Sequence, residues 1–141
     1  MENHSPVTLW AGRIMSALPA LFLLVDGAMK LVKPEPVVKA TLELGYPESV
    51  LFGLGVVLLA CTILYLIPRT AVLGAILLTG YLGGAVATHV RVGAGWFSIS
   101  FPIVLGVLLW GGLICRDDRL RNLIPLVRPG SDARVNSSPS T

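Results

Sequence analysis

Four stretches of this 141-residue chain contain no Asp, Glu, Lys or Arg: residues 14–25, 49–68, 70–90 and 92–115. A helix rises about 1.5 Å per residue and the hydrocarbon core of a bilayer is about 30 Å thick, so roughly 20 apolar residues carry a helix across it. The last three stretches reach that length. Only 13% of the chain is charged, whereas soluble domains carry about 25%. An ordinary soluble enzyme domain, a disulfide-stapled secreted module and a disordered chain are therefore excluded. The net charge is +3, but the basic residues flank the apolar runs and form no stripe interleaved with aromatics. Lipid headgroups, not nucleic acid, are the expected counter-ions.

The first uncharged run lies between Arg13 and Asp26 and is short enough for the apolar region of a signal peptide, with a weak cleavage signal around Val25 and Gly27. Arg13 and Lys30 can instead snorkel toward headgroups, which extends the run to an uncleaved span over about 8–31. The second span, 49–67, is bounded by Pro47-Glu48 and Pro68-Arg69, where proline removes a backbone donor and ends the helix. The third, 70–90, follows with almost no connection, so the two form a tight antiparallel hairpin. The fourth, 97–115, is expected to be capped by Ser98 or Ser100, with Pro102 in its first turn, after a glycine-rich loop at 92–96.

Between the first two spans, Val37, Val38, Thr41 and Leu42 recur at helical spacing opposite Glu35, Lys39 and Glu43, with Gly45 as a stop. The fold class is thus all-α: a four-span transmembrane bundle with a short amphipathic interfacial helix between spans 1 and 2. It occupies residues 1–127 as a single domain, with 116–127 continuing as a juxtamembrane helix. The tail 128–141 (RPGSDARVNSSPST) reads as disordered and polar. Four spans put both termini and the 68–70 turn on one side. Seven basic residues lie there (Arg13, Arg69, Arg116, Arg119, Arg121, Arg128, Arg134) against four opposite (Lys30, Lys33, Lys39, Arg91), which predicts cytoplasmic termini.

Several strings carry a resemblance. They are Asp26-Gly27 with Lys30 and Pro34, then Gly45-Tyr46-Pro47-Glu48, then Tyr65-Leu66-Ile67-Pro68-Arg69-Thr70, and above all GYLGGAVATHVRVG at 80–93. Over about 13–126 the chain resembles the DoxX-like family of small four-helix bacterial membrane proteins. The resemblance implies a multi-pass protein of the bacterial inner membrane and a place beside quinones and thiol redox chemistry. It transfers no catalytic residue set.

The topology brings Asp26, Lys30, His89 and Arg91 into one leaflet, near Glu43, Tyr46 and Glu48 and near Trp96 of the last loop. An ionisable group in lipid costs about 2.5 kcal/mol or more unless it finds a partner, so a buried polar cluster is expected. Asp26 and His89 are the candidate proton-handling pair, since histidine titrates near neutral pH and burial favours a protonated carboxyl. Lys30 and Arg91 are their charge partners, and Tyr46 and Trp96 are candidate contacts for a planar ring such as a quinone. The plainer alternative is an Asp26–Lys30 pair at a helix end, with His89 bonding a neighbouring backbone or Asp26 to lock the packing.

Other chemistry is weaker. His4 lies on the opposite side from His89, so a bundle haem lacks its second axial ligand. Asp26, His89 and Glu48 make a poor facial triad, and no metal is expected. Cys61 and Cys115 match no redox or zinc motif and read as unpaired structural thiols. Gly80, Gly84 and Thr88 repeat a four-residue step, as do Gly12, Ser16 and Ala20, which suits close packing within the bundle or, through Gly80 and Gly84, a homodimer. Nine positions separate Gly80 from His89, half a turn about the helix, so the glycine and histidine faces should meet different neighbours. Trp10, Trp110 and Trp96 suit interfacial anchoring. Arg116-Asp117-Asp118-Arg119 marks a self-paired helix end.

The leading functional expectation is an accessory or quinone-interacting component of a membrane redox system. The rival is a non-catalytic scaffold anchoring a soluble redox partner through residues 116–128. A small-solute transporter is disfavoured by four short spans without broken helices.

Overall fold

The computed structural model describes residues 5–123, all of them helix or connection. The helices are α1 (Pro6–Val32), α2 (Glu35–Glu43), α3 (Val50–Leu66), α4 (Ala71–Arg91), α5 (Trp96–Arg116) and α6 (Asp118–Leu123). Each uncharged run became one long helix. α1, α4 and α5 are long and apolar enough to cross a membrane. α3 is equally apolar, but its 17 residues reach only roughly 25 Å at about 1.5 Å each.

α1 packs on α3 and α5, and α4 packs on the same two helices. α1 and α4 therefore stand on one diagonal of the bundle and α3 and α5 on the other. Leu23, Leu58, Tyr65, Leu78 and Leu109 fill the shared interior. Outside it the apolar side chains point away: Leu18, Leu21, Val57, Ile63, Ile76 and Val107 are all more than half exposed. Water would penalise such a surface heavily and hydrocarbon does not. This is a multi-pass membrane protein with a lipid-facing exterior.

Backbone chemistry sets the helix ends. Lys33 closes α1 in the left-handed region at φ 54° and donates its N–H to the Met29 carbonyl, and Pro34 forbids continuation. Gly45, at φ 82°, ends α2 as its composition predicts. The α3–α4 connection folds back within a few residues, braced by Thr70 Oγ1 donating to the Leu64 carbonyl at 2.8 Å. Gly74 then lies against the backbone of Tyr65 so closely that no side chain fits.

The start of α5 differs from expectation. Its N-cap is Gly95, without a side-chain cap, and neither Ser98 nor Ser100 caps it. Pro102 accordingly lies inside the helix, where it is buried. A proline there removes one backbone bond, which a membrane helix tolerates when neighbouring helices cover the gap. At the other end Asp117 is extended and breaks the chain between α5 and α6, and its carboxylate accepts the Arg119 N–H at 2.9 Å. The rest of the expected juxtamembrane helix, the tail 128–141 and His4 lie outside the described residues.

Candidate functional site

A cavity of about 440 Å³ opens between the diagonal helices at the end where α1 finishes and α4 finishes. Its deeper walls are apolar, from Leu23, Leu54, Leu82 and Leu105. Phe22 and Phe101, ring centroids 5.0 Å apart in an edge contact, form another part of the wall. Polar groups are contributed by Asp26 and Lys30 from α1, Thr41 from α2, Tyr46 from the following loop, and Tyr81, Thr88 and His89 from α4.

The expected cluster largely assembles. Lys30 Nζ donates to Asp26 Oδ2 at 2.5 Å, an i, i+4 pair whose side chains are 17% and 34% exposed, respectively. The pair cancels its own charge within one helix turn. His89 Nδ1 lies 2.7 Å from the Ala85 carbonyl one turn back. A carbonyl only accepts, so Nδ1 carries the hydrogen.

Tyr46 arrives from a different element. Thr88 Oγ1 donates its single hydrogen to the Gly84 carbonyl at 2.8 Å, so in the 3.1 Å contact between Tyr46 Oη and Thr88 Oγ1 the tyrosine is the donor. Arg91 does not line the cavity. It donates to the Leu44 carbonyl at 3.0 Å and stands 5.9 Å over the Tyr46 ring, bracing the loop that brings Tyr46 in. Lys33 and Glu48, 4.0 Å apart, tie the end of α1 to the same loop. Glu48 does not line the cavity. Among the described residues no three His, Cys, Asp or Glu side chains gather closely enough for a metal ion.

Trp96, expected as a ring contact, is 85% exposed and lines no part of the cavity. As the first residue of α5 it stands outside the bundle, next to the stack of Phe97 on Phe101. The aromatic wall comes instead from Phe22, Phe101 and Tyr81. Tyr81 was legible in principle: with Ala85 and His89 it repeats every fourth residue, one ridge of α4.

Gly80 and Gly84 also differ from expectation. The cavity reaches both of them as well as His89, and the glycine face touches no neighbouring helix. A Cβ built on either glycine meets nothing within 4 Å. Without side chains there, the open space extends round almost half the helix. The small residues of α1 behave as predicted: Gly12, Ser16 and Ala20 are buried.

A second cavity, about 550 Å³, lies between α4 and α5 and is the larger of the two. Its chemistry is poor. The hydroxyl of Thr79 accepts from Trp110 Nε1 at 2.7 Å and donates to the Ala75 carbonyl at 2.7 Å, and the other lining residues are apolar apart from Trp110 itself. The smaller cavity, with polar groups from four segments of the chain, is the candidate site.

No match is found among curated proteins or solved structures. The sequence model of the DoxX-like family matches residues 14–112, which takes in α2 to α4 whole, most of α1 and α5, and all the polar residues of the cavity.

Proposed function

We propose that this chain, which belongs to the DoxX-like family, is a four-span protein of the bacterial inner membrane that binds a quinone-class ring and serves as an accessory component of a membrane redox system. The observation that carries the reading is the cavity itself, a site of about 440 Å³ with apolar walls and polar side chains from four different segments. Ligand sites for amphipathic rings have this composition: mostly apolar surface for the ring and tail, and a few placed polar groups for its oxygens. Lys30 retains donors beyond the one used on Asp26, Tyr46 closes one side, and Asp26 and His89 are the groups able to accept protons from a ring hydroxyl.

The remaining features support the setting. α3 serves as the short fourth span, and the excess of arginine at the end bearing the termini favours their cytoplasmic location. Trp96, fully outside the bundle, suits an interfacial anchor. A membrane-associated redox protein is the expected partner, and the exposed Gly80 and Gly84 are the face on which a second copy would pack in a homodimer.

The test is extraction in mild detergent followed by mass spectrometry of co-purified small molecules, comparing the native chain with Gly84→Phe. This substitution starts in open space at a residue that lines the cavity, where a bulky ring is expected to obstruct it. About one quinone-class molecule per native chain, absent from the variant, is the expected outcome. Empty protein in both preparations would discard the reading and leave a scaffold for a soluble redox partner as the better account.

A further inference from the structure

We infer that His89 makes this site select the reduced, hydroxyl-bearing form of its ring ligand over the oxidised form. The inference rests on the quinone-class reading and deepens it. It follows from which hydrogens around the cavity are already committed.

Thr41 Oγ1 donates to the Val37 carbonyl at 2.9 Å, Thr88 to Gly84 and Tyr46 to Thr88. None of these three hydroxyls has a hydrogen left for a ligand. On His89 the hydrogen sits on Nδ1, held by the Ala85 carbonyl at 2.7 Å. In the neutral ring the other nitrogen, Nε2, is then purely an acceptor. Asp26 is engaged by Lys30 at 2.5 Å, and among the described residues the ion pairs of the cavity do not include His89.

A hydroquinone and a quinone meet this arrangement differently. Either oxygen of a hydroquinone donates one hydrogen and accepts another, so it is satisfied against Lys30 and equally against Nε2. A quinone carbonyl only accepts. Opposite Lys30 it is satisfied, but opposite Nε2 two lone pairs face each other in a partly buried space where water cannot readily intervene. The lone pairs of Asp26 also only accept, but Lys30 stands beside them to offer a donor; His89 thus penalises the oxidised ring with no neighbouring ammonium to offset it.

The experiment uses the full chain in detergent under anaerobic conditions, at fixed pH, with a decyl-tailed benzoquinone and its hydroquinone titrated separately by calorimetry. Native protein is expected to bind the hydroquinone about tenfold more tightly, the size of one hydrogen bond gained instead of a mismatched one. His89→Phe is expected to bring the two affinities within about twofold by weakening the hydroquinone. His89→Gln, whose amide both donates and accepts, is expected to level the two affinities as well, by satisfying the quinone carbonyl, while keeping a polar side chain at that position. The midpoint potential of the bound couple supplies a second readout, rising by about 30 mV in the native protein for a tenfold preference in a two-electron couple.

Equal binding of the two forms by native protein, tighter binding of the quinone, or a preference that survives in both variants overturns the role of His89 and leaves the quinone-class site standing. Binding of neither form overturns both readings.

Discussion

The two ends of the bundle are built from the same small residues and behave oppositely. Where α1 begins and α5 ends, a Cβ on Gly12 would come within 2.8 Å of the Cys115 Cβ, and one on Gly112 would meet the Ser16 backbone nitrogen at 2.8 Å. The helices touch backbone to backbone there. Tyr65 lies between them, wholly buried, donating to the Leu109 carbonyl at 2.6 Å, with its hydroxyl 3.0 Å from that of Ser16 and Arg116 5.7 Å over its ring. At the opposite end Gly80 and Gly84 face open space, and a cavity replaces the packed core. Even here α1 and α3 stay close, a Cβ on Gly55 coming 2.9 Å from the Gly27 carbonyl oxygen. The opening is therefore on the α4 side. A glycine is a permission for close approach, and the partner helix decides whether the permission is used.

This contrast can be broken most severely at Gly74. A valine there would drive its side chain into the Tyr65 backbone, which cannot repack as a side chain would. A loss above about 3 kcal/mol is expected, seen as failure to recover monodisperse protein after extraction. Tyr65→Phe is the next largest. It removes the hydroxyl from a buried site with two polar neighbours, and a loss of about 1–3 kcal/mol in detergent unfolding is expected.

The hollow end should respond far less. Arg91→Ala removes an exposed bond to the Leu44 carbonyl, and a loss of about 0.5–1 kcal/mol is expected, with Tyr46 freed from its place against Thr88. Fluorescence of a label on α2 would report that release. Gly84→Phe is expected to leave stability within about 0.5 kcal/mol of native, because its side chain begins in empty space. A large destabilisation by Gly84→Phe, or a mild effect of Gly74→Val, would show that the two ends are not packed as described.

Much of the architecture was legible before any coordinates. Charge exclusion located α3 and α4 to within a residue or two and marked the middle of α1 and the end of α5, because a desolvated backbone must be helical and a charge in lipid is penalised wherever it falls. Local spacing located α2, the Gly45 stop and the Asp26–Lys30 pair, since residues four apart on a helix are neighbours whatever surrounds them. The start of α5 was misplaced for a related reason. Serine and proline are strong capping signals in water, but the helix began at Trp96 and ran through Pro102, where burial among other helices outweighs the lost bond.

The site was legible only in part. Asp26, Lys30, Tyr46 and His89 converge on the cavity as their shared leaflet predicts, and His89 takes the backbone partner that the plainer reading allowed. Trp96 does not join them, while Tyr81, Phe22 and Phe101 do. The sequence alone determined which segments leave water, where each helix stops and which side chains share a turn, because those are consequences of solvation and of a fixed rise per residue. Only the tertiary structure decided which glycines touch a neighbour, that Tyr46 reaches Thr88 across 42 residues, and that the diagonal pair of helices stands apart at one end. Those outcomes depend on which faces of separate helices meet, and no local pattern contains that information.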